Sequence, residues 1–485
     1  MFRRNATLAL FIFLIPPLIT FAQQPSSSPA SGPATQPAAQ PQAAATPAKD
    51  PNDPIERIKD EGMNRSQVIQ TLSYLSDVIG PRLTASPGMK RSNDWTRDQL
   101  TKWGLQNAHL EAWGPFGRGW SLKRFSAQVT EPLDIPLIAY PKAWSPATDG
   151  PINAEVVYVD AKDEAELQRF KGKLKDVIVL NGRMRDVKAH FEAPGTRLDE
   201  KELLSLADAP EPRPGSRRRF TPEQRTAITF GSKKLQFFHD EGAALLIDAS
   251  RGGDGGTIFV QSASVPQPIA SEDAGQNASR QIQAYDKTAP KIIPQVVLAV
   301  EHYNRIARMI EAGENVKMTV DLDVAWQDSD PMGYNTIAEI PGSDLKDEIV
   351  MLGGHMDSWH AGTGATDNGA GVAVTMEAVR ILQALDLKPR RTIRVALWTG
   401  EEQGLLGSKA YVAEHFGKLE SAAPRPGAQP SPSPTPATLV SKPEYEKFSS
   451  YFNLDNGTGK IRGVYLQGNE AVRPLFRQWL SPFRE

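Results

Sequence analysis

Cysteine is absent from all 485 residues, which removes disulfides, zinc-thiolate sites and thiol nucleophiles together. Any metal must then be held by His, Asp and Glu. Histidine is scarce as well, with seven in the chain, so each can be weighed individually. A surplus of basic charge is also missing: 55 Lys and Arg stand against 57 Asp and Glu, which disfavours nucleic acid and anionic membranes as partners. The one apolar run that suggests a membrane, Leu8 to Leu18, falls short of the ~20 residues a span needs and is broken by Pro16 and Pro17. With Arg3 and Arg4 before it and Thr20-Phe21-Ala22 after it, this run reads as a signal peptide over residues 1–22. No cysteine follows the cleavage point to carry a lipid. The product is therefore expected in the periplasm or outside the cell, without a membrane anchor once the signal is cleaved.

The chain is too long for one ordinary domain, and its composition changes along its length. Residues 23–53 are Ala, Gln, Ser and Pro with almost nothing to bury, a disordered spacer. A second Pro-rich tract, 423–438, reads as a surface loop, and Arg217 to Arg219 as a solvated one. Val68 to Trp103 has helical character, interrupted around Gly80-Pro81-Arg82-Leu83-Thr84. From about Phe125 come short apolar runs suited to strands, at Val156 to Val159, Val177 to Leu180 and Ala243 to Ile247. They suggest a separate β-rich unit that closes with a helix from His302 to Ala312 and a strand through Val316, Met318, Val320, Leu322 and Val324. After Gln327 the pattern becomes strand (Tyr334 to Ile340), turn, strand (Ile349 to Leu352), helix (Gly369 to Leu385) and strand (Ile393 to Trp398). That is an α/β layout with parallel crossovers, in which sites gather at the carboxyl ends of the strands.

Chemistry-bearing residues stand at those ends. Ile349 to Leu352 runs into Gly353-Gly354-His355-Met356-Asp357, an imidazole with a carboxylate able to orient it, or a plain hydrogen-bonded loop. Asp367 precedes a helix, where it could equally be an N-cap. The strand ending at Trp398 delivers Glu401 and Glu402, adjacent carboxylates that repel each other unless a cation is present or water screens them. Tyr451 to Leu454 ends at Asp455-Asn456-Gly457, which also reads as a turn. Taken together in one α/β unit, they describe a hard-to-borderline metal site suited to Zn²⁺, with Mn²⁺ or Co²⁺ as alternatives. This many carboxylates favours two ions.

The run of His355-Met356-Asp357-Ser358, Asp367-Asn368-Gly369 and Trp398-Thr399-Gly400-Glu401-Glu402-Gln403-Gly404, in that order, resembles metallopeptidase family 28, the co-catalytic zinc aminopeptidases, in its carboxypeptidase Q-like branch. The resemblance implies a mixed-sheet α/β zinc-exopeptidase domain with helices on both faces and an inserted β-rich protease-associated domain. Its parts would be 54–124 and 327–485 for the peptidase and 125–326 for the insert. It further implies two zinc ions, with Asp367 bridging, His355 and Asp455 on one ion and Glu402 on the other. Glu401 becomes the general base, Asp357 the partner that orients His355, and Asp367-Asn368 a cis peptide. The activity implied is aminopeptidase or dipeptidase action on peptides, with a homodimer as the candidate assembly.

The family's second zinc takes a further His late in the chain. Here His109, His190, His239, His302, His355, His360 and His415 all precede Asp455, so the chain is expected to be truncated at its C-terminus. Val472, Leu475, Phe476, Trp479 and Leu480 then form an apolar face on a final helix that would lie partly open. His360 reads as a substrate contact or a solvent-facing loop residue. Competing functions are a catalytically impaired or inactive binding protein on the same fold, and a glutaminyl cyclase. A dinucleotide enzyme is disfavoured because the third glycine of its fingerprint would fall at Asp367.

Overall fold

The computed structural model describes residues 50, 52–208, 221–268, 281–420, 437–455 and 459–483. The signal peptide, nearly all of the spacer, Arg217 to Arg219, most of the Pro-rich loop and Asn456-Gly457 lie outside the described residues. The two N-terminal helices, α1 (Pro54–Asn64) and α2 (Val68–Ser73), are followed by a π-helical turn (Tyr74–Ile79). The chain then breaks at Gly80 and resumes in α3 (Pro87–Lys102), which Ser86 caps by accepting from the Met89 amide, with Pro87 in the first turn. The interruption read at Gly80 to Thr84 is this break. Next comes β1 (Gln106–Trp113).

The middle of the chain forms β2 (Gly119–Glu131), β3 (Ile135–Pro136), β4 (Ala139–Pro141), β5 (Ile152–Val159), α4 (Glu164–Leu167), β6 (Ile178–Asn181), α5 (Glu200–Ala207), α6 (Pro222–Asp240), β7 (Leu245–Ala249), β8 (Gln295–Leu298), α7 (Val300–Glu311) and β9 (Lys317–Gln327). These eight strands make one sheet in the order β3-β2-β9-β5-β6-β7-β8-β4, with β5 through β8 parallel. Alternation along β9 buries Met318, Val320 and Leu322, the first two in one cluster with Tyr303 and Ile306 of α7. The sequence-based description of this region as β-rich omits α6, a 19-residue helix opened by a capping box between Thr221 and Gln224.

The remainder supplies β10 (Gly333–Ile340), β11 (Leu345–His355), α8 (Ala370–Ala384), β12 (Arg391–Trp398), α9 (Leu406–His415), β13 (Gly417–Glu420), β14 (Thr438–Ser441), β15 (Phe448–Asn453) and α10 (Arg473–Leu480). A five-stranded mixed sheet has the order β1-β10-β12-β11-β15, in which β12, β11 and β15 are parallel. β1 and β10 run antiparallel on the other side. One face of the sheet packs against the π-helical turn, α3 and α8 through Leu75, Met89, Leu100, Val372, Met376 and Val379. On α10, Leu475 and Trp479 are exposed, as the amphipathic pattern suggested, while Phe476 meets Phe452 of β15 edge-on. An aromatic cluster of Trp113, Phe116, Trp120, Trp144 and Tyr285 joins the two sheets, and Trp359 packs against it.

Candidate metal centre

Parallel pairing aligns the ends of three strands. His355 is the last residue of β11, in register with Trp398 of β12, and Gly353 is in register with Asn453 of β15. Chain continuation past β12 and β15 therefore brings Glu401, Glu402 and Asp455 beside His355. Gly400 makes the turn after β12 at φ +71°, where a Cβ would strike the Trp113 ring, whose indole nitrogen donates to the Thr399 hydroxyl at 2.9 Å.

The His355 ring is buried, and its Nδ1 lies 3.0 Å from the Asp357 carbonyl. A carbonyl can only accept, so Nδ1 carries the proton and Nε2 faces outward. Nε2 lies 3.0 Å from Asp367 Oδ1, 3.2 Å from Asp455 Oδ1 and 4.0 Å from Glu401 Oε2. His355, Asp367 and Asp455 each offer a ligand atom, all within 4.8 Å of one another. Glu402 is not in that set of three, but it is electrostatically coupled to Asp367 and Asp357. The Asp367-Asn368 peptide is cis, and the Asn368 side chain donates to Leu454 O and accepts from Gly371 N.

Asp357 is fully buried. The closest approach of its carboxylate to His355 Nδ1 is 3.6 Å; its hydrogen bonds run to Glu401 N and Glu402 N, both at 3.2 Å, and to the Thr84 hydroxyl. Its side chain thus fixes the backbone of the Glu401-Glu402 pair, while its carbonyl fixes the imidazole.

Charge in this site is out of balance. Among the described residues, no Lys or Arg forms an ion pair with Asp357, Asp367, Glu401, Glu402 or Asp455. Burial, joined by the charges of Asp367 and Asp357, pushes Glu402 up to about 7. Burial also raises Glu401. For His355, burial works against the charged ring, but Asp357, Asp455 and Glu401 outweigh it and raise the imidazole to about 10. A neutral imidazole nitrogen and carboxylate oxygens converging on one point are the donor set of a zinc-type ion, so the residues fit a metal.

Two neighbours went unnoticed in the sequence. Arg82 is buried behind the site, and Thr84 binds Asp357. Next to Glu402 opens a cavity of about 830 Å³ lined by Trp113, Phe116, Tyr285, Trp359 and Gln403. Among the described residues the Gln403 amide atoms are buried there without a hydrogen-bond partner, while the Trp359 indole N–H faces the Glu402 carboxylate. His360 is neither solvent-facing nor part of the ligand cluster: it is buried against Trp120, its Nε2 donating to Pro141 O at 2.7 Å. His415 lies between Glu444 and Glu111, at 3.0 Å from each.

Residues 335–482 match the family model described as Peptidase family M28. Carboxypeptidase Q of Mus musculus is 26% identical over 423 residues, covering 87% of this chain and 71% of its own length. The Bos taurus protein of the same name is 29% identical over 358 residues, covering 73% and 62%. Among solved structures, a peptidase M28 precursor from Shewanella amazonensis SB2B superposes with a TM-score of 0.53 at 23% identity, over 88% of this chain and 80% of that one. The superposition establishes the shared mixed α/β fold.

Proposed function

From the premise that this chain is an M28-type metallopeptidase, we propose that it is a zinc-dependent aminopeptidase or dipeptidase. The observation that carries the reading is the convergence of His355 Nε2, Asp367 and Asp455, with Glu401 beside them and, among the described residues, no Lys or Arg in an ion pair with them. His355, Asp367 and Asp455 would hold one ion, and Glu402 with Asp367 a second. Zinc bound there supplies Lewis acidity to the scissile carbonyl and the attacking water. Glu401, raised by burial, takes the water's proton and passes it to the leaving amine. Asp357 holds the Glu401 and Glu402 amides, so the base and its neighbour keep their places as charge moves. The aromatic cavity beside Glu402 receives the substrate side chain next to the scissile bond.

We further take the unit from β2 to β9 as the protease-associated insert, and the periplasm or the cell exterior as the place of action. Of the seven His, His355 alone stands in the cluster found among the described residues, so the ion held by Glu402 and Asp367, without an imidazole, should bind more weakly than the first and fall short of full occupancy. The test is zinc content by mass spectrometry together with hydrolysis of Leu-p-nitroanilide and of free dipeptides. Zinc bound with turnover supports an exopeptidase. Zinc bound with no turnover, or with cyclisation of N-terminal Gln peptides instead, turns the reading to a binding protein or a glutaminyl cyclase.

A further inference from the structure

We propose that Arg82 is a positioning residue for the metal centre: its buried guanidinium ties the backbone just after His355 to the backbone just before Asp367, and so sets the spacing of two ligands carried on one loop. This rests on the zinc-centre reading above. Arg82 is fully buried, and all five of its side-chain hydrogen bonds go to backbone carbonyls. Nε donates to Met356 O at 2.7 Å; Nη1 donates to Thr363 O at 2.8 Å, Gly80 O at 3.0 Å and Leu75 O at 3.1 Å. Nη2 donates to Gly364 O at 2.7 Å, and that same carbonyl accepts from Gly369 N at 2.9 Å. The tie therefore reaches across the Asp367-Asn368 pair. Backbone pairing reinforces it, with Ser358 N donating to Arg82 O and Arg82 N to the Ser358 hydroxyl.

A buried cation that stabilised the fold alone would be expected to take a carboxylate partner, as Arg380 does with Glu377 and Glu61. Arg82 takes none. Three of its bonds, to Met356 O, Thr363 O and Gly364 O, hold the two ends of the ligand loop at a fixed separation, and the other two tie the fork to Leu75 O and Gly80 O in the segment that carries it. Two residues on, Thr84 binds the Asp357 carboxylate, so one short segment supports His355, Asp367 and the Glu401-Glu402 turn together.

Arg82→Lys keeps the charge but loses the fork, because one ammonium cannot span carbonyls at both ends of the loop. Gly364→Ala attacks the same tie from the other side: at φ +62° an added Cβ would lie 2.8 Å from Arg82 Nη2 and 2.4 Å from Ser358 Cβ. Arg380→Lys serves as the control for a damaged buried ion pair elsewhere. In the full chain, zinc affinity is measured by chelator competition, and hydrogen exchange of the 356–369 amides and thermal midpoints in EDTA. Both loop variants should bind zinc ~10–100-fold more weakly and exchange faster over 356–369 before any metal is added. The double variant should lose less than the product of the two, and Arg380→Lys should lower the midpoint with zinc affinity unchanged. If zinc affinity stays within about twofold of the parent while the midpoint falls as in the control, Arg82 is structural only and the proposal is wrong. If Arg82→Lys does not fold, Gly364→Ala carries the test; if neither folds, the role is structural and the proposal fails. A parent that binds no zinc overturns the metal-centre reading and this proposal with it, whereas a zinc-binding parent with unaffected variants overturns this proposal alone.

Discussion

Two sheets in this chain run strands in parallel, and each presents a row of carboxyl ends, yet the rows differ in how their charge is met. In the eight-stranded sheet, Asp248 of β7 is bound by Lys142 Nζ at 2.5 Å and by Asn181 Nδ2 at 2.7 Å, and Lys142 also donates to Gln295. Nearby, the Tyr303 hydroxyl donates to Gly182 O. The carboxylate charge at that edge is thus met by a lysine from within the sheet. In the five-stranded sheet, carboxylates from three strand ends converge on one imidazole, and the buried Arg82 behind them directs its side-chain hydrogen bonds to backbone carbonyls. Topology says where a site can be; the unbalanced charge says which of two such places is one.

The comparison is sharpest if the carboxylates of the five-stranded edge divide into ligands and a base. Glu401→Gln should keep zinc and fold while losing about 10²–10⁴-fold in kcat, the range for removing a general base. Glu402→Gln should lose zinc instead. Zinc content and kcat measured on both variants decide it: equal zinc loss in the two would dissolve the division of roles.

The join between the regions gives the next largest effect. His360 sits on the loop after β11, but its Nε2–H donates to Pro141 O in β4, on the far sheet. Burial holds this imidazole down at about 4, with only the Pro141 carbonyl favouring its charged form, so it is neutral in the fold. A His with a depressed folded pKa contributes fully above its unfolded value near 6.5, and that contribution is lost as pH falls towards 4. The loss should amount to on the order of 2–3 kcal/mol. His360→Gln should flatten this part of the stability profile, as read by denaturant unfolding between pH 7 and pH 4. An unchanged slope would show that the junction is not what acid weakens.

Legibility in the sequence followed how strongly the physics constrains residue type. Strands such as β5, β6 and β7 were readable from short apolar runs, and β9 from strict alternation, because burial on a pleat dictates both. The candidate ligand motifs stood out because they follow strand ends, which fix their spacing, and because a metal site would call for those residue types. Arg82 was not readable, because carbonyl acceptors have no side-chain identity and leave no mark at Met356, Thr363 or Gly364. The cavity beside Glu402 was hidden for another reason. Its walls come from Trp113, Tyr285 and Trp359, far apart in the chain and joined only by packing. His360 shows the same limit, since a loop histidine is buried or exposed according to what a distant segment places over it.

The smallest expected effect tests the other side of the comparison. Asp248 occupies the strand-end position in the eight-stranded sheet that the candidate ligands occupy in the five-stranded one, but it is paired, and Lys142 is largely buried with it. Asp248→Asn removes the charge while keeping an oxygen able to accept from Asn181 and Lys142. The cost should be about 1 kcal/mol, the scale of a weakened polar contact. Zinc content and turnover should not change, because no charge at that edge awaits a cation. A drop in zinc content would mean that the eight-stranded sheet carries part of the metal chemistry. The contrast between a balanced edge and an unbalanced one would then no longer separate scaffold from site.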